Sequence, residues 1–170
     1  MEILIVGGII VALMVYVSTR IKKSAASAYE EEAIDAPRFA LVKPEGFLSL
    51  VEPSAPFAFE AYTKDFGEGD AEKLRQAAAH VEIIADRSFA EACGAARRSV
   101  DRVLSEETTE RMFWLRGEKA VDGVETEVYR KIVAGGDRVF DLEIRVLREK
   151  AEDYAARIVK LLESFEVKAS

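Results

Sequence analysis

The chain has 170 residues, 49% hydrophobic and 32% charged, with a net charge of −7, which fits one domain with an appendage and argues against disorder or a multi-span membrane protein. Residues 1–23 hold three basic side chains and one acidic, so residues 24–170 carry 21 basic against 30 acidic, a net −9; that balance disfavours nucleic acid and anionic headgroups as non-specific partners. One cysteine, Cys93, and one histidine, His80, exclude an internal disulfide framework and a Cys-rich metal site.

From Ile3 to Thr19 no residue is charged, and Ile, Leu, Val and Met dominate. As a helix this run spans about 25 Å, near the lower limit for a bilayer core. Arg20, Lys22 and Lys23 follow at once and can snorkel to the headgroups. A cleaved signal would carry positive charge before the run, yet Glu2 is the only charged residue there. Residues 1–23 therefore read as an uncleaved single-pass anchor in the lipid bilayer. The basic excess on the C-terminal side places the rest in the cytoplasm, at the plasma or inner membrane. Gly8 and Ala12 form a small-xxx-small pair through which two anchors could pack as a weak homodimer.

Residues 24–37, SAASAYEEEAIDAP, lack a steady apolar period and read as a juxtamembrane linker that Pro37 terminates. The acidic Glu30, Glu31 and Glu32 read as a solvated face. A globular domain is expected over residues 38–170. Two extended stretches, Phe39–Lys43 and Phe47–Glu52, flank a Pro-Glu-Gly turn. In FAFEAYTKDF, Phe57, Phe59 and Ala61 alternate with Ala58, Glu60 and Tyr62, a strand period. After the GEGD turn, AAAHVEII alternates likewise and completes a hairpin, with His80 on its polar side.

Ser88 and Glu91 form a capping box that starts a helix. Phe89, Ala92, Cys93, Ala96, Val100, Val103 and Leu104 continue it at helical spacing over about four turns. Cys93 falls on the packed face and reads as an inert buried thiol. A three-strand meander follows, MFWLRGEKAV, VETEVYRKIV and RVFDLEIRVL, with Asp122-Gly123 suited to the first tight turn. In its last strand Phe140, Leu142, Ile144 and Val146 oppose Asp141, Glu143 and Arg145, as in a sheet covered on one side. Tyr154, Ile158, Leu161, Leu162 and Phe165 make the stripe of a final amphipathic helix.

This order gives an α+β class, an antiparallel sheet covered by helices. It resembles the PsbP-like fold, named for an accessory protein of photosystem II and shared with a Ran-binding nucleotide-release factor and bacterial lipoproteins. The resemblance covers about residues 38–168. It rests on GFLSLVEP, on FAFEAYTKDF with HVEII, on the helix after DRSFAEA, on the VDG hairpin and on LLESFEV. It implies binding or assembly roles more than catalysis, and it carries over no functional residue.

No G-x-S-x-G, phosphate-binding glycine loop or His pair at ligand spacing occurs. Glu106, Glu107 and Glu110 lack the spacing of a cation loop. No catalytic residue, cofactor or metal site is expected. Trp114, between Phe113 and Leu115, reads as core or as part of a partner-binding patch. The expected function is a non-enzymatic interaction or assembly module at the membrane surface. Its unknown protein partner would meet one sheet face or the turn carrying Lys43, Glu45 and Phe47. The alternative is a small-ligand binder or enzyme with a pocket between sheet and helices; a deep polar cleft holding His80 or clustered carboxylates would favour it.

Overall fold

The computed structural model describes residues 27–168. The expected anchor, its flank Arg20, Lys22 and Lys23, and the Gly8/Ala12 pair lie outside the described residues. Among the described residues no helix is long and apolar enough to cross a membrane.

Among the described residues ten strands run in chain order: β1 Glu32–Asp35, β2 Phe39–Lys43, β3 Phe47–Ser49, β4 Phe57–Thr63, β5 Ala77–Ile84, β6 Arg102–Thr108, β7 Met112–Val121, β8 Val124–Gly135, β9 Arg138–Leu147 and β10 Glu166–Val167. Helix α1, Phe89–Arg98, sits between β5 and β6, and α2, Ala151–Ser164, between β9 and β10. Strands β3-β4-β5-β9-β8-β7-β6, in that order, form a seven-stranded sheet, and β1-β2-β10 a small one. Every pairing is antiparallel. The α+β expectation is met.

Alternation in β5 and β9 decides what each face buries. Ala77, Ala79 and Val81 join Phe140, Leu142, Ile144 and Val146 on one face, where Tyr154, Ile158, Leu161 and Leu162 of α2 close over them. The small sheet completes this core with Phe39 and Leu41. On the opposite face Ala92, Cys93 and Ala96 of α1 pack against Phe113, Leu115, Val128 and Ile132. Each fully buried side chain of this size contributes roughly 1.5–3 kcal/mol. The sheet is thus covered on both faces, where one covered face was expected, and Asp141 of the second face is buried as a result.

The hairpin at Asp122-Gly123 forms as expected, with φ of 52° and 83°, the left-handed values that a two-residue turn between twisted strands requires. It sets a register that runs unbroken from Val121 opposite Val124 to Met112 opposite Val133. The capping box is also present: Ser88 accepts from the Glu91 N–H while Glu91 accepts from the Ser88 N–H at 2.8 Å.

Four expectations are corrected. Helix α1 stops at Arg98, because Ser99 turns back onto the Ala96 carbonyl and Asp101 N–H then donates to Glu118 across β7. Val103 and Leu104 are therefore exposed residues of the edge strand β6, not of a packed helix face. Gly117 permits this turn: a Cβ there would lie 2.9 Å from the Arg102 carbonyl and from Val100 Cγ1. Second, Glu32–Asp35, expected within a linker, pairs with β2 from Glu32 opposite Lys43 to Asp35 opposite Ala40. Third, the strand expected to reach Glu52 ends at Ser49. Fourth, a bulge between Phe57 and Phe59 turns Phe57 to the face opposite Phe59, where its ring meets His80 at 4.1 Å.

Candidate functional site

Helix α2 packs against β2, β9 and part of β8 but leaves β7 and the rest of β8 incompletely covered. The gap is a groove of about 670 Å³. Trp114 and Arg116 of β7 and Glu127 and Tyr129 of β8 line one wall. Ala151, Ala155, Val159 and Leu162 of α2 line the other, recurring at helical spacing along one side of the helix. Val159 is 49% exposed and shares this groove with the Trp114 ring. Trp114 and Tyr129 are half-buried and pack their inner edges on the core.

The polar groups of the sheet wall are already engaged. Tyr129 donates to Glu127 Oε2 at 2.7 Å, and Arg116 donates to the same oxygen from Nε at 3.0 Å. A second guanidinium nitrogen of Arg116 lies 2.9 Å from it. Burial first, then the bond to Glu127, pushes the Tyr129 hydroxyl up to about 12. A carboxylate with three donors converging on one oxygen is a poor general base, and a phenol held neutral is a poor nucleophile. What this network does is fix the tilt of the Tyr129 ring. Lys131 holds the opposite wall, donating from Nζ to the Leu162 carbonyl at 2.6 Å and the Phe165 carbonyl at 2.9 Å. Those are carbonyls of the last turn of α2 and of its cap, which otherwise lack donors.

On the second face a charged group stands beside α1. Arg130 donates to Asp141 Oδ2 at 2.8 Å and to the Ser99 hydroxyl at 2.8 Å, and lies 3.1 Å from Glu143. Burial raises the Asp141 carboxyl to about 6 even against the pull of Arg130. His80 is 4.0 Å from Glu143 and is held below its ordinary value, chiefly by burial, so it is neutral at pH 7. It stacks on Phe57 and does not line the groove. Cys93 is buried and its thiol is raised by burial, the state of an inert cysteine. Among the described residues no group of three or more His, Cys, Asp or Glu side chains could hold a metal ion.

The turn expected to form a partner surface is corrected. Lys43 is 1% exposed and Phe47 fully buried. Lys43 donates to the carbonyls of Ala28, Glu30 and Phe47 at 3.0, 2.6 and 2.8 Å, and Phe47 meets the Tyr154 ring edge-on. Only Glu45 of the three faces solvent. The acidic triplet is likewise engaged in part, Glu31 with Lys160 and Glu32 with Lys43. Of the side chains singled out in the sequence, the groove uses Trp114 from the sheet and Ile158 and Leu162 from the helix stripe. Tyr129, Arg116 and Val159 were missed, although the Asp122-Gly123 turn already implies that Arg116 faces Tyr129.

With a seven-stranded antiparallel sheet, α2 and a small sheet on one face and α1 on the other, the chain has a fold like that of solved PsbP and Mog1 proteins. Among solved structures the chain is similar to LpqN, involved in cell envelope biogenesis of Mycobacterium tuberculosis, with a TM-score of 0.56 at 14% identity over 82% of this chain and 91% of that one. It is similar to cyanobacterial PsbP (CyanoP) from Synechocystis, with a TM-score of 0.55 at 9% identity over 82% and 94% of the two chains. The Ran-binding protein Mog1p of Saccharomyces cerevisiae gives 0.53 at 13% identity over 83% and 97%. No family model matches the chain, and no curated protein matches it in sequence. At these identities the likeness is one of fold.

Proposed function

We propose that the chain is a non-enzymatic interaction module, anchored in the membrane by residues 1–23 with its domain on the cytoplasmic side, and that it binds a protein partner through the groove between α2 and β7-β8. The observation that carries this reading is Val159, half exposed opposite Trp114 and Tyr129 in a groove where the buried carboxylate of Glu127 is already bonded. Apolar side chains exposed together beside an aromatic wall, with a polar rim, have the make-up of a docking surface. The fold is compatible, since one of the similar structures is a Ran-binding protein and another takes part in cell envelope biogenesis.

The test is co-purification of the full chain from detergent-solubilised membranes. The wild type is expected to retain a protein that Val159→Asn loses. Retention of a small molecule with no protein would overturn the reading in favour of a ligand-binding one. Protease added outside intact cells should leave residues 24–170 untouched, and their digestion would overturn the cytoplasmic orientation.

A further inference from the structure

The groove is uneven in charge. Arg116 is committed to Glu127, and Arg148 is shared between Glu118 at 3.4 Å and Glu125 at 2.7 Å. Along the α2 side, Glu149, Glu152 and Asp153 have no lysine or arginine within ion-pair distance among the described residues. A second cavity of about 590 Å³ shares Arg148 and Glu149 with the groove and adds Glu68 and Asp70, extending the acidic end. Glu152 and Asp153 also complement the dipole of α2, so charge by itself would not mark a site. The same groove, however, leaves Ala155 and Val159 exposed opposite Trp114. One end is thus apolar and the other acidic.

We infer that the occupant is a basic, apolar segment of the partner protein. It sets an apolar side chain against Trp114 and Val159 and places Lys or Arg side chains over Glu149, Glu152 and Asp153. The inference rests on the interaction-module reading and names the chemistry of its partner. Charge complementarity selects this occupant, since unlike potentials across an interface favour association and like ones suppress it. A second copy of the domain is disfavoured on the same ground, because residues 24–170 carry a net −9.

Trp114 is the single tryptophan of the chain, so its emission reports on the groove directly. The experiment titrates the full chain, in phosphatidylcholine nanodiscs, with a synthetic amphipathic peptide of lysine and leucine and with its counterpart of glutamate and leucine. The lysine peptide is expected to shift Trp114 emission saturably, and the glutamate peptide to leave it unchanged. Neutralising Glu149, Glu152 and Asp153 together (E149Q, E152Q, D153N) should raise the dissociation constant about tenfold or more. Val159→Asn should raise it by a similar factor, with circular dichroism unchanged. Neutralising three exposed acids outside the groove, Glu52, Asp86 and Glu110, should leave binding within about twofold. Equal weakening by both sets of three overturns the inference, because it would show general attraction to an acidic protein. An unmoved Trp114 also overturns it, as when residues 1–26 or a second copy already fill the groove. If the peptide fails while a partner is still retained through Val159, the module reading stands and the basic chemistry falls.

Discussion

Lys43 donates from Nζ to the carbonyl of Phe47 at 2.8 Å, and both side chains are buried at the base of the turn that joins β2 to β3. The same ammonium reaches back to the carbonyls of Ala28 and Glu30, so one side chain holds the chain that enters the domain against its small sheet. Burial depresses the Lys43 pKa, and Glu32 at 3.8 Å offsets part of that. A lysine here is a clamp on backbone oxygens, which methionine matches in length and lacks in donors.

Lys43→Met should therefore cost about 2–4 kcal/mol, because it leaves acceptors without a donor inside a packed turn. Urea denaturation measures this, and hydrogen exchange should show residues 27–35 losing protection before the rest. A change below about 0.5 kcal/mol would mean that solvent already satisfies these carbonyls.

Asp141 makes a pH prediction of definite sign. Its folded value of about 6 lies above the ordinary 3.8, so the native state binds this proton more tightly than the unfolded chain does. Through this group, stability is gained as pH falls from about 6 to about 4 and lost as pH rises across that window. The unfolding free energy of the wild type minus that of Asp141→Asn should fall over the window by on the order of 2–3 kcal/mol and then level off. A difference flat with pH would show that the Arg130 pair fully compensates the burial.

Arg130→Met tests the same pair from the other side. It leaves Asp141 buried without its cation and removes the donor to Ser99 at the end of α1. The expected loss at pH 7 is about 3–5 kcal/mol, and most of it should be recovered by adding Asp141→Asn. Equal losses in the single and double variants would place the cost elsewhere.

Gly117→Ala should destabilise by about 1–3 kcal/mol, since the added methyl meets the Arg102 carbonyl and Val100 at 2.9 Å. Ser88→Ala, which removes the side-chain half of the capping box, should cost about 1 kcal/mol. Thermal unfolding of the two variants ranks them. A Gly117→Ala protein as stable as the wild type would show that β6 is free to shift away from β7.

Local chemistry made much of the fold legible. A two-residue Asp-Gly turn permits one register, so the β7-β8 hairpin and the facing of Arg116 with Tyr129 follow from the sequence. The Ser88 capping box marks a helix start for the same kind of reason, a bond between near neighbours. The end of that helix was not legible. Val103 and Leu104 continue the helical period, and only an unpaired edge on β7, with room above Gly117, draws them into β6. The stripe of α2 shows Tyr154, Ile158 and Leu161 but hides Val159, because a stripe does not say how far the covering sheet extends.

Taken alone, the amino-acid sequence determined the α+β class, the strand periods, the first tight turn, the acidic balance and the inert setting of Cys93. Each depends on neighbours in the chain or on composition. Tertiary structure decided that Lys43 and Phe47 are interior, that Asp141 is buried beside Arg130, and that Trp114 and Val159 face one another across a groove. Those relations join residues far apart in sequence, and they exist only once β2 meets α2, α1 covers the second face, and α2 stops short of β7. A groove is a place where packing ends, and no periodicity within a single element records where its neighbour stops.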